Sequence, residues 1–211
     1  GPFEMRIATI IICLLSLFRL NAQDELAIAE QMYDDGLYEA VIEYLHAFEI
    51  RHEEDLLLEA DTYHKLSEYE QAVEAYTQVL HREEENLEAY MRRGAVQLEL
   101  GNFQFALKDV KHALRISPEH PEANFHMGNI CYDQDDMKNA IKYYITAVNQ
   151  RPRYPQAIYM IGAALSNQGQ NKDAEKAFEQ VLDELPSAKY NLAVVKLESE
   201  RYQEAIELFN D

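Results

Sequence analysis

Cysteine is nearly absent from this 211-residue sequence, which carries only Cys13 and Cys131. With Cys13 inside an apolar N-terminal stretch, no disulfide framework is available and packing alone must hold the domain. Cys131 reads as a buried structural thiol. Proline and glycine are also scarce, six and seven residues. They fall at predicted turns, which argues against a long flexible linker. Positive charge is short as well, with 19 Lys and Arg against 38 Asp and Glu, a net of −19. So acidic a surface repels phosphate backbones, and no Lys/Arg cluster offsets it, so no nucleic-acid partner is expected. Residues 23–62 hold thirteen acids and one base, Arg51. That region is the one suited to a basic partner.

Signals of catalysis are missing too. None of His46, His52, His64, His81, His112, His120 and His126 forms the pair four apart, with an intervening Glu, that a helical zinc hydrolase needs. Glycines occur singly, so no loop is built to cradle phosphate. Asp133, Asp135 and Asp136 form a carboxylate cluster, but the following Gly and bidentate Glu of a calcium loop are lacking. It reads as a solvated turn. No catalytic residue, cofactor or metal is expected, and the chain does not read as an enzyme.

What is present is a repeat. Residues 87–120 run LEAYMRRGAVQLELGNFQFALKDVKHALRISPEH. Apolar residues three and four apart, broken by Gly101 and stopped at Pro118, predict two antiparallel amphipathic helices joined by a tight turn. Small residues at Gly94 and Ala106 let the helices approach. The unit recurs after 34 residues, with Gly128, Met137, Ala140, Tyr144, Ala147 and Pro152 for Gly94, Phe103, Ala106, Val110, Ala113 and Pro118. Gly162, Gly169, Ala174, Phe178 and Pro186 mark the next copy. This 34-residue helix–turn–helix period resembles the tetratricopeptide repeat (TPR).

Six repeats are predicted over 22–52, 53–86, 87–120, 121–154, 155–185 and 186–211, making 23–211 one TPR domain. In the first, helices are expected over 24–34 and 38–50; in the second, residues 81–86 read as a solvated loop. Pro121 and Pro155 open their helices, and Pro186 both ends the fifth repeat and opens the sixth. Residues 1–4 (GPFE), ahead of Met5, read as an expression scar. Residues 5–22 combine Arg6, an apolar run over 7–18 and Leu-Asn-Ala, the pattern of a secretory signal cleaved after Ala22. The alternative is an apolar helix packed on the first repeat or on a neighbouring molecule. The localisation this implies is secreted or periplasmic, or the ER lumen in a eukaryote. Membrane contact is expected only through that segment, if uncleaved.

The resemblance implies an all-α, right-handed α-solenoid whose first helices line a concave wall. Carried over by position, that wall includes Leu57, Asp61, His64, Met91, Arg92, Ala95, Phe125, His126, Asn129, Tyr132, Tyr159, Met160, Ala163, Tyr190, Asn191 and Val194. Arg92, Phe125, His126, Asn129, Tyr132, Tyr159, Met160, Tyr190 and Asn191 form the expected peptide- or protein-binding groove, with Phe125, Tyr132 and Tyr159 as anchors. The carboxylate clamp of chaperone-tail receptors in the family is not matched. Gly128-Asn129 resembles one piece of it, but Phe125 stands where the clamp lysine belongs, and Met160, Tyr190 and Asn191 replace further polar and basic contacts. The implied function is a scaffold or adaptor that binds another protein or peptide, in the assembly of a larger complex. The alternatives are the TPR part of a longer enzyme or co-chaperone, and a self-assembling oligomer. Self-association would use the apolar N-terminus or the C-terminal face of Ile206, Leu208 and Phe209.

Overall fold

The computed structural model describes residues 22–47 and 52–210. Among them are twelve α-helices and no strand, the expected all-α class. They are α1 (Ala22–Asp34), α2 (Tyr38–His46), α3 (Glu53–Lys65), α4 (Tyr69–Arg82), α5 (Leu87–Glu99), α6 (Phe103–Ile116), α7 (Pro121–Asp133), α8 (Met137–Gln150), α9 (Pro155–Asn167), α10 (Asn171–Gln180), α11 (Ser187–Glu198) and α12 (Tyr202–Asn210). The expected signal segment and the end of the first repeat's second helix lie outside the described residues.

Local chemistry explains the helix starts. Asn86 accepts the Ala89 N–H at 2.8 Å to cap α5. His52 and Asp55 cap α3 reciprocally, with the His52 N–H donating to Asp55 Oδ2 at 2.7 Å. Pro121 and Pro155 occupy first-turn positions of α7 and α9, where a missing N–H leaves no bond unmade. One expectation needs correction. His81 and Arg82 are the last turn of α4 rather than loop, and the loop begins at Glu83. Cations at a helix C-terminus are favoured by its dipole, so the basic part of that charged run prolongs the helix.

Each hairpin turns through one residue of positive φ: Gly36, Ser67, Gly101, Asp135, Gly169 and Glu200. Only three are glycine, because a single left-handed residue costs about 1–2 kcal/mol and the packed hairpin absorbs it. Close approach of paired helices is visible in the fourth and fifth repeats. A Cβ on Gly128 would lie 2.4 Å from the Tyr144 ring, and one on Gly162 would lie 2.8 Å from the Phe178 ring. The large partner is an aromatic ring on the second helix.

The chain divides into two compact units, residues 1–109 and 110–211, with the boundary inside α6. In the first, Met32, Val41, Tyr44 and Leu45 form one buried cluster, and Leu56, Ala60, Tyr76, Val79 and Val96 a second. In the second, Ile158, Phe178, Val181, Leu192 and Val195 form the larger cluster, and Ala147, Tyr154 and Ala157 a smaller one.

Candidate functional site

In the first unit the polar side chains of the first helices converge. The Tyr76 hydroxyl donates to Asp61 Oδ1 at 2.5 Å, and Arg92 of α5 reaches back to Asp61 and to Glu88. His64 Nε2 lies 2.8 Å from Glu99 Oε1. With Tyr33, Lys65 and Ala95, these residues line an open cavity of about 360 Å³. Burial pushes the Arg92 guanidinium below its ordinary value, with the Tyr33 phenol opposing, and pushes the Tyr76 phenol up. At Glu99 burial works against the charge. Hydrogen bonds from His64 and Tyr69, and the charge of His64, outweigh it and hold the carboxyl low.

In the second unit the same positions carry amides and phenols. Tyr144 donates to Asn129 Oδ1 at 2.8 Å, repeating the Tyr76–Asp61 bond with a neutral acceptor. Asn167 of α9 donates to the Tyr132 hydroxyl of α7 at 2.9 Å, and Asn191 of α11 donates to the Tyr159 hydroxyl of α9 at 2.6 Å. Successive first helices are therefore bridged by one amide–phenol contact each. Met160 is half-buried on α9, and Tyr190 is 65% exposed with its ring 5.8 Å from Phe209.

The expected groove residues thus fall into two groups. Arg92 belongs to the charged cavity of the first unit. Asn129, Tyr132, Tyr159, Met160, Tyr190 and Asn191 lie on the three consecutive first helices α7, α9 and α11 of the second unit. Phe125 packs at 5.8 Å from the Tyr144 ring and 5.0 Å from the Tyr154 ring, within an apolar cluster. His126 is largely buried; its Nδ1 has no hydrogen-bond partner among the described residues, and burial lowers its pKa against the attraction of Glu122. Met91, which the positional rule assigns to the wall, is buried in the core.

Sequence reasoning missed Tyr33, Lys65, Tyr76, Glu99 and Asn167. A spacing signal existed for several of them. Asp61/Tyr76 and Asn129/Tyr144 are both 15 residues apart, and where the later residue is Val110 or Phe178 the earlier one is Ala95 or Ala163. A buried phenol needs an acceptor, whereas Val or Phe needs only a small neighbour. His64/Glu99 and Tyr132/Asn167 likewise share a 35-residue spacing.

Cys131 is half-buried, and burial with nearby Asp136 raises its thiol pKa, which disfavours a reactive thiolate. Asp136 caps α8, its Oδ1 accepting the Asn139 N–H at 3.2 Å. Among the described residues no group of three His, Cys, Asp or Glu side chains is placed to hold a metal ion, and no helix is long and apolar enough to cross a membrane.

Comparison with known proteins is consistent with this geometry. The structure resembles MamA from Desulfovibrio magneticus RS-1, with a TM-score of 0.68 at 21% identity over 77% of this chain and 93% of that one. It resembles YrrB, described as a TPR protein with an unusual peptide-binding site, with a TM-score of 0.64 at 23% identity over 74% and 82% of the two chains. A tetratricopeptide repeat protein from Parabacteroides merdae gives a TM-score of 0.74 at 17% identity, covering 89% of this chain and 77% of that one. At these identities the likeness shows the fold, an α-solenoid of helical hairpins. No curated relative matches the sequence. The family model for the tetratricopeptide repeat matches residues 57–118, 96–158 and 159–211, and the chain belongs to the tetratricopeptide repeat family.

Proposed function

We propose that this protein is a non-catalytic adaptor that holds a peptide or a face of another protein on the wall made by its first helices, during assembly of a larger complex. The observation that carries this reading is the concentration of polar and aromatic side chains on α7, α9 and α11, where they bridge one first helix to the next. Such side chains offer contact area at low entropy cost and groups that pair with main chain. The description of YrrB as having a peptide-binding site supports the same use of the fold. The N-terminal sequence supports a secreted or periplasmic location, which cell fractionation and the N-terminus of the mature chain would test.

Crosslinked capture from the native host, followed by mass spectrometry, tests the adaptor reading. The full chain is expected to retain a defined partner that a Tyr132→Ala/Tyr159→Ala variant releases. Equal recovery by both proteins would refute the wall assignment. Phe125 is left unchanged because its ring packs among Tyr144 and Tyr154.

A second reading, self-association, is favoured by one observation. Tyr190, Tyr202, Ile206 and Phe209 expose about half or more of their surface on α11 and α12. Large apolar surface of this kind marks association sites. A mass that does not change with concentration in light scattering would remove this reading.

A further inference from the structure

The adaptor reading leaves open what kind of segment the second unit accepts. Hydrogen-bond bookkeeping on α7, α9 and α11 narrows it. Tyr132 accepts from Asn167, and Tyr159 accepts from Asn191, so each phenol keeps its own proton to donate. Asn129 uses its carbonyl oxygen to accept from Tyr144, so its amide hydrogens remain to donate. Asn167 and Asn191 spend an amide hydrogen on each phenol and keep their carbonyl oxygens as acceptors. No other partner for these groups appears among the described residues. The wall therefore offers both donors and acceptors that are already oriented. The middle helix, α9, contains no Asp, Glu, Lys or Arg across Pro155–Asn167.

An array of fixed donors and acceptors without formal charge complements the N–H and C=O groups of an extended main chain. A charged partner would leave its charge facing neutral groups in a partly desolvated site, which is unfavourable. Apolar surface lies beside the array in half-buried Met160 and in the exposed ring of Tyr190. We propose that α7, α9 and α11 bind an extended, uncharged segment of a partner protein, reading its main chain through amide and phenol groups and its bulky side chains through Met160 and Tyr190. This inference rests on the adaptor reading.

The test is selection of short random peptides on the full chain. Enriched peptides are expected to lack net charge. Methylating alternate main-chain nitrogens of the best binder should weaken it about tenfold or more. Raising NaCl from about 0.05 to 0.5 M should change affinity less than about twofold, because no ion pair is screened. Tyr132→Phe/Tyr159→Phe, which keeps both rings, should weaken binding, as should Asn129→Asp/Asn167→Ala/Asn191→Ala with its fold checked by circular dichroism. Asp61→Asn/Arg92→Met, in the first unit, should leave binding unchanged. Charged, salt-sensitive binders that depend on Asp61 and Arg92, or indifference to main-chain methylation, would overturn the inference while leaving the adaptor reading intact. If no peptide is enriched but crosslinking still captures a partner, only the extended-segment inference fails; if capture fails as well, both do.

Discussion

The two units use one architecture with opposite electrostatics. Residues 1–109 carry 23 acids and 8 bases, a net of −15, whereas residues 110–211 carry 15 and 11, a net of −4. The difference reaches the wall itself. In each unit a buried tyrosine on a second helix donates to a first-helix residue 15 positions earlier, to Asp61 in one and to Asn129 in the other. An ionised acceptor with little solvent needs a counter-ion, and Arg92 of the next repeat supplies it. The neutral acceptor needs none, and Met160 stands the same 31 residues beyond Asn129 that Arg92 stands beyond Asp61. The chemistry chosen at one position thus constrains the next repeat. An acid commits its neighbour to a base, and an amide frees that neighbour to be apolar.

Substitutions that exploit this contrast differ in expected size. The largest effect should come from Asp109→Ala. Asp109 is 2% exposed and holds Arg93 through two bonds of 2.7 and 2.8 Å, so its loss leaves a half-buried cation without its partner. Breaking such a pair costs about 3 kcal/mol, to be read from chemical denaturation of the full chain. Gly128→Ala comes next, in the neutral unit. The new methyl would meet the Tyr144 ring at 2.4 Å, and overpacking of this kind costs about 2 kcal/mol, outweighing any gain in helix propensity. Gly162→Ala, at 2.8 Å from Phe178, should cost less.

A smaller effect tests the contrast itself. Arg92→Met alone should cost about 1 kcal/mol, because the pair is partly exposed and screened. Adding Asp61→Asn transplants the arrangement of the second unit and should recover most of that loss in a double-mutant cycle. The reverse change, Asn129→Asp, should destabilise the second unit, where Met160 offers no counter-ion. Strict additivity in the cycle would break the argument that the two positions are chosen together.

The smallest change at neutral pH concerns His126. Burial places its folded pKa below the ordinary 6.5, so the folded state favours the neutral ring. The unfolded chain then binds a proton more readily, and the stabilisation present above pH 6.5 is lost as pH falls through the lowered value. His126→Phe should flatten the melting temperature between about pH 7 and 5 with little effect above that range. An unchanged acid slope would show that His126 does not set it.

Much of this fold was legible because the repeat writes each structural requirement several times. Gly128 and Gly162 recur 34 residues apart, and each faces a ring across its hairpin, at Tyr144 and Phe178. The turns were half legible. Gly36, Gly101 and Gly169 announced left-handed residues, but Ser67, Asp135 and Glu200 take the same conformation without glycine. Hairpin packing there imposes a conformation that the side chain alone disfavours. The first-helix rule found residues that meet, such as Tyr159 with Asn191, yet it passed over Asn167, Glu99 and Tyr76. A rule by position on one helix does not record a partner on a neighbouring helix or repeat.

The sequence by itself determined the period, the all-helical class, the family and the uneven charge. These follow from spacing and composition, which act locally and repeat. Tertiary structure decided which polar groups pair: Arg92 with Asp61, Asn167 with Tyr132, Asn191 with Tyr159. Those bonds join residues more than thirty positions apart. Their formation depends on how closely neighbouring helices stack and which rotamers that stacking leaves open.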